Sequence, residues 1–186
     1  GTSGTASGGA ASAFGAGSCS SGIGSIALGT NASGTANNSI VIGTEALANA
    51  ANAIAIGIEA VSNQINTTAV GTLSKATGNY SSAYGTMANA NGGGSMAFGA
   101  GSLATGLGSI AHGVNSTAAA TNAVVFGTEA GALGEDATAI GYSAVALGVD
   151  STAIGKSSSA SKVNATALGA ESKATGISST ALGDAA

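Results

Sequence analysis

The 186-residue sequence has no proline and no tryptophan, one cysteine, three tyrosines and three phenylalanines. Each scarcity removes a class of protein. A lone Cys19 makes no internal disulfide, so the chain is not a stapled scaffold, although cysteine scarcity is compatible with secretion. Four lysines, no arginine and eight acids give a net charge of −4, and no basic stripe exists for a phosphate backbone to follow. Nucleic acid is excluded as a partner. No run of about 18 apolar residues occurs, so no segment inserts across a bilayer. The chain also begins without a charged segment followed by an apolar one, which places any targeting signal outside these residues. With one histidine, no paired carboxylates and no nucleophile beside a base, the groups of an enzyme are missing. We expect neither catalysis nor a cofactor.

Glycine is abundant and regular. Gly15, Gly29, Gly43, Gly57, Gly71, Gly85, Gly99, Gly113, Gly127, Gly141, Gly155, Gly169 and Gly183 recur every 14 residues without insertion or deletion. In an aperiodic chain this Gly, Ala, Ser and Thr content would signal disorder, but a solvated linker has no reason to hold glycine in phase. A strict period identifies a solenoid in which each repeat stacks on the next. The whole chain, 1–186, is read as one repeat domain and as a fragment of a longer protein.

The residues flanking the glycine alternate. One position before it stand Phe14, Leu28, Ile42, Ile56, Val70, Tyr84, Phe98, His112, Phe126, Ile140, Ile154, Leu168 and Leu182. Three before it come Ile26, Ile40, Ile54, Met96, Ile110 and Val124 among Ser and Thr, whereas two before it is always Ala or Val, and four before it always Ser, Ala or Thr. This is the period-two pattern of a strand with one large and one small face. A shorter alternation follows, with Ala or Ser three after the glycine and usually Ala five after it, around a variable residue such as Cys19, Leu47, Lys75 or Gly131. Turn residues separate the two strands.

Each repeat therefore predicts strand, turn, strand, turn, and stacked repeats form two parallel sheets. The turns are short and leave little room between the sheets, so Ala, Ser and Gly are expected inside and the large residues outside. All twelve charges fall in turns or at the variable position of the short strand, in keeping with that assignment. The large residues form an apolar stripe of about 400 Å² or more, near the upper limit for a soluble monomer. We expect it to be buried between copies of the chain. The reverse arrangement, with the large residues inside, is the alternative.

Segments such as Ser25-Ile-Ala-Leu-Gly29, Ser39-Ile-Val-Ile-Gly43, Ala53-Ile-Ala-Ile-Gly57, Ser109-Ile-Ala-His-Gly113 and Ser151-Thr-Ala-Ile-Gly155, each followed by two variable residues and then Ala or Ser, closely resemble the 14-residue head repeat of YadA-like trimeric autotransporter adhesins. The resemblance covers essentially the whole chain. It implies a left-handed parallel β-roll of about thirteen repeats, three of which associate around a threefold axis through the large apolar residues named above. It further implies a bacterial cell-surface adhesin, anchored in the outer membrane through regions outside these residues. Its expected partners are itself, as a homotrimer, and host extracellular matrix protein or a cell-surface receptor, with autoaggregation as a further role. The family's stalk, neck and anchor segments are absent from these residues, so the resemblance is to a head alone. Two alternatives stay open: a structural spacer of a surface fibre, and an ice-binding solenoid suggested by the threonine file Thr138, Thr152, Thr166 and Thr180.

Other motifs carry less. Gly155-Lys156-Ser157 resembles the end of a phosphate-binding loop, but Asp150 stands where that loop needs its first glycine. Gly92-Gly93-Gly94 lacks the nine-residue period and carboxylate of a calcium-binding repeat. The triplets Asn31-Ala-Ser33 and Asn66-Thr-Thr68 follow from Asn, Ser and Thr usage. His112 is the one polar intruder in the apolar column; in a trimer three copies would approach, as an ion site or as ordinary interface residues. Glu45, Glu59, Glu129 and Glu171 share one turn position, the lysines at 75, 156, 162 and 173 read as solvated, and Tyr80 and Tyr142 sit in turns as candidate exposed contacts.

Overall fold

The computed structural model describes residues 3–186. They are built from two-residue and three-residue strands in strict alternation, with no helix among the described residues. The chain divides into two compact units between Gly94 and Ser95. Within each, the three-residue strands pair in parallel with strands one repeat away, and so do the two-residue strands. In the first unit Ile40–Ile42 pairs with Ile26–Leu28 and Ile54–Ile56, and Leu47–Ala48 with Ser33–Gly34 and Val61–Ser62. In the second, Ile110–His112 pairs with Met96–Phe98 and Val124–Phe126. Each of these registers joins residues 14 apart, which is why the glycine period survives without a gap. The thirteen three-residue strands and thirteen two-residue strands make about thirteen turns of an all-β parallel solenoid.

The interior is made of small side chains. Two before each glycine, Ala27, Val41, Ala55, Ala69 and Ala83 in the first unit and Ala97, Ala111, Val125, Ala139, Ala153 and Ala167 in the second are all at most 1% exposed. Facing them from the short strands are residues such as Ala48, Ala76, Ala104 and Ala160, equally buried. So the large side chains lie outside, as the turn lengths require, and the reversed arrangement is excluded. At Val41 the facing sheet gives way: a Cβ added at Gly34 would meet Val41 Cγ2 at 3.4 Å and Ser39 Oγ at 3.0 Å.

The core is partly polar, and its hydroxyls are used. Ser20 and Ser25 share a 2.6 Å hydrogen bond from one sheet to the other, and Ser62 and Thr67 share one of 2.7 Å. Inward serines three after the register glycine donate back to that glycine's carbonyl, as Ser74 does to Gly71 and Ser102 to Gly99, both at 2.8 Å. Such bonds tie the turn to the strand that leaves it. Ser39, Ser81 and Ser109 have no partner for Oγ; the facing residues there, Gly34, Ala76 and Ala104, carry no hydroxyl.

The register glycine is demanded by backbone contact. Gly43 has φ 141°, and a Cβ there would collide with the carbonyl oxygen of Gly57 in the next rung. The other constraint of the turns is invisible in residue type: the positions two after and five before each register glycine all have φ near 60°. Asn and Gly suit this left-handed conformation, yet Leu73, Tyr80 and Met87 also adopt it, at a cost of about 1 kcal/mol or more each. Their amides are held by the neighbouring rung, Leu73 by Ile58 O at 2.8 Å and Tyr80 by Ile65 O at 3.0 Å. The turns are thus part of the ladder.

Candidate functional site

No cleft gathers chemistry here, and no group of three or more His, Cys, Asp or Glu among the described residues is placed to hold a metal. A hollow of about 440 Å³ lies at the first rung, lined by residues including Ala13, Phe14, Ile26 and Leu28. It is the uncovered flank of that rung and holds no charged group. The surface features worth weighing are therefore files of side chains, each repeating at the rung spacing of about 4.8 Å.

The most extensive file is apolar. The residues expected at a trimer contact all stand on the outer face of the three-residue strands, where alternation puts the large side chains. In the first unit Phe14 is 77% exposed, Leu28 41% and Ile42 38%. Ile40, Ile54, Ile56 and Val70 are half-buried by their neighbours in the same file. In the second unit Phe126, Ile140, Leu168 and Leu182 are exposed, with Ile110, Val124 and Ile154 between them half-covered. Side chains 14 residues apart cover one another along the file, but none of the described residues covers the file from outside.

His112 sits within this column, with its ring between two phenylalanines. Its centroid lies 6.0 Å from that of Phe98 and 5.4 Å from that of Phe126, tilted by 33° and 30°. The stack follows from register alone, because all three residues are last in paired strands.

Other candidates are scattered. Glu45 and Glu59 occupy left-handed turn positions on adjacent rungs and point to solvent; Glu129 accepts a 3.2 Å hydrogen bond from Ser143 Oγ. Lys75 and Lys173 are exposed on the outer face of short strands, and Lys156 in a turn. Gly155-Lys156-Ser157 is likewise a turn, followed by a two-residue strand where a phosphate loop needs a helix. Tyr80 is 66% and Tyr142 50% exposed. The threonine file is real, Thr138, Thr152, Thr166 and Thr180 being paired in register, but the accompanying file two residues along is Ile140, Ile154, Leu168 and Leu182.

Two features were not anticipated. Asn38 donates through Nδ2 to Asn52 Oδ1 at 3.3 Å, and Asn52 in turn to Asn66 Oδ1 at 2.9 Å, so one turn carries an amide ladder. Asn122 donates similarly to Asp136 at 3.0 Å. The turn position six before the glycine also exposes large apolar residues, Ile23 and Ile65 in the first unit and Leu107, Val149, Val163 and Ile177 in the second. Both signals were present in the sequence at a fixed offset, but Asn, Ala, Gly, Thr and Glu interrupt the apolar one.

A thin parallel roll with small residues inside and its large apolar residues outside defines a repeat protein whose surface, rather than a pocket, does the work. The family model for the YadA head domain repeat, in two-copy form, matches residues 20–46, 35–60, 48–74, 62–86, 76–102, 104–130, 132–158 and 160–186. The chain belongs to that family, and is an adhesin head of the YadA-like type. It is also similar to the crystal structure of the collagen-binding domain of the Yersinia adhesin YadA, with 32% identity and a TM-score of 0.52 over 57% of this chain and 68% of that one. Comparison with curated proteins gave no match. The family and the fold point to a binding protein rather than an enzyme.

Proposed function

We propose that residues 1–186 form one head domain of a bacterial surface adhesin, that three copies assemble through the apolar columns of the three-residue strands, and that the assembled head attaches the cell to host extracellular matrix. The observation that carries the assembly is the uncovered apolar file. Fully burying one large side chain contributes up to about 1.5 to 3 kcal/mol, whereas the interior of a single roll is Ala, Ser and Gly with few larger residues such as Val41, Val125 and Thr67. Exposed files of this size mark an interface. The similarity to a collagen-binding domain supports matrix protein, collagen first, as the ligand. Contact with the matrix falls to the turns and the outer face of the short strands, where the charges and Tyr80 and Tyr142 stand. Outer-membrane anchorage belongs to segments beyond these residues.

Sedimentation equilibrium tests the assembly: three times the 16.9 kDa chain is about 51 kDa. A solid-phase assay of the trimer against collagens, other matrix proteins and cultured cells tests the attachment. A trimer that binds none of them is a fibre spacer, and self-association of coated beads separates autoaggregation from matrix binding.

A further inference from the structure

We propose that His112 makes assembly of this chain sensitive to pH: the contact accepts the neutral imidazole between Phe98 and Phe126, and protonation of the ring on acidification drives the copies apart. The proposal rests on the homotrimer proposed above.

His112 is the only histidine among the thirteen residues that precede a register glycine, and Tyr84 is the only other one with a polar group. Its strand is flanked by Met96–Phe98 and Val124–Phe126, and the outward side chains of these three strands are Met96, Phe98, Ile110, Val124 and Phe126 besides His112 itself. None of them carries charge. The one acid in the adjoining turns, Glu129 after Gly127, takes its hydrogen bond from Ser143. Copies related by a threefold axis bring the same columns to the contact, so they add two further imidazoles and no counter-charge.

In the separated chain His112 is exposed, and water is free to solvate the imidazolium. Inside the contact the neutral ring keeps its stacking, while the cation loses water and gains no anion. Attraction between an imidazolium and the two phenyl faces does not offset this, because both phenylalanines belong to the same chain and act before and after assembly alike. The separated chains therefore bind more protons than the trimer, so assembly strengthens as pH rises and weakens as it falls. Linkage limits the effect of one proton to about tenfold per chain per pH unit, and for three chains to about 1000-fold in the association constant. Neutralising the eight carboxylates in stronger acid lowers the repulsion between acidic chains, an effect of opposite sign.

The test is sedimentation velocity over a concentration series, with thermal unfolding alongside, at about pH 8 and about pH 5.5 and constant ionic strength, for the natural chain, His112→Phe and His112→Leu. Phe and Leu occupy the same column in other repeats, so both variants fit the roll. The expected result is a natural chain that dissociates, or melts at lower temperature, at the acidic pH, while both variants hold their pH 8 behaviour. Equal association of the natural chain at the two pH values, or an equal loss in all three proteins, overturns the proposal while leaving the trimer standing. A natural chain that is monomeric at about pH 8 at every concentration refutes the homotrimer itself, and this proposal with it.

Discussion

Ile56→Asp is the most direct perturbation of the apolar face. Ile56 pairs in register with Ile42 and Val70 and points outward from a strand whose middle residue, Ala55, is fully buried. The substitution leaves the small interior and the ladder untouched. Ile56 is already half-buried within the chain, so losing three isoleucines from a shared contact removes about 1.5 to 4.5 kcal/mol per trimer, at about 0.5 to 1.5 kcal/mol each. Three carboxylates would also have to be desolvated next to Ile42 and Val70. At about 1.4 kcal/mol per factor of ten, the transfer loss alone weakens association by roughly 10 to 10³, and the desolvated carboxylates add to it. Sedimentation at micromolar concentration should then give the 16.9 kDa chain, with circular dichroism reporting whether the separated roll keeps its strands. Lys75→Asp, on the exposed face of a short strand, should leave a trimer of about 51 kDa, three times the chain mass. An Ile56→Asp variant that remains trimeric would place the contact elsewhere and refute the reasoning.

Glycine substitutions separate backbone demand from composition. Gly43→Ala drives a Cβ into the carbonyl of Gly57 at φ 141° and should cost about 2 to 4 kcal/mol in thermal or urea unfolding. Gly131→Ala meets nothing closer than Thr117 O at 3.9 Å, so it should be neutral or stabilising by up to about 1 kcal/mol. Asn52→Val places a β-branched residue at φ 58° and cuts the amide ladder on both sides; a loss of about 1 to 2 kcal/mol is expected, with Asn52→Gly losing less. Ala69→Leu overfills an interior with no exposed volume and should destabilise by about 1 to 3 kcal/mol or more, whereas Thr68→Ile, outward on the same strand, should not.

The fold was legible because two independent periods are written in the chain. The 14-residue glycine spacing sets the rung, and the two-residue alternation from Ile40 to Ile42 sets which side chains face out. The turns were legible only as turns. Their left-handed residues include Asn31, Glu45, Leu73, Met87 and Tyr80, types with no shared propensity, because the conformation is imposed by bonds to the next rung such as Glu45 N to Thr30 O at 2.9 Å. The apolar file at the second turn escaped notice for a related reason: Ile23 and Ile65 are separated by Asn37 and Ala51, so the column has an offset but no constant type.

What the sequence by itself determined is the repeat, the parity and hence the face that carries the large residues, since a one-residue slip would put Ile56 inside a space made for Ala55. The tertiary structure decided which side chains become neighbours. Residues 14 apart in the chain stand one rung apart, so Asn38, Asn52 and Asn66 join in a ladder, Phe98, His112 and Phe126 stack, and Ser62 reaches Thr67 between the sheets. Spacing along the chain names the candidates for such contacts. Their formation depends on backbone hydrogen bonds that fix the rungs in register, and on interior volumes that only the closed roll defines.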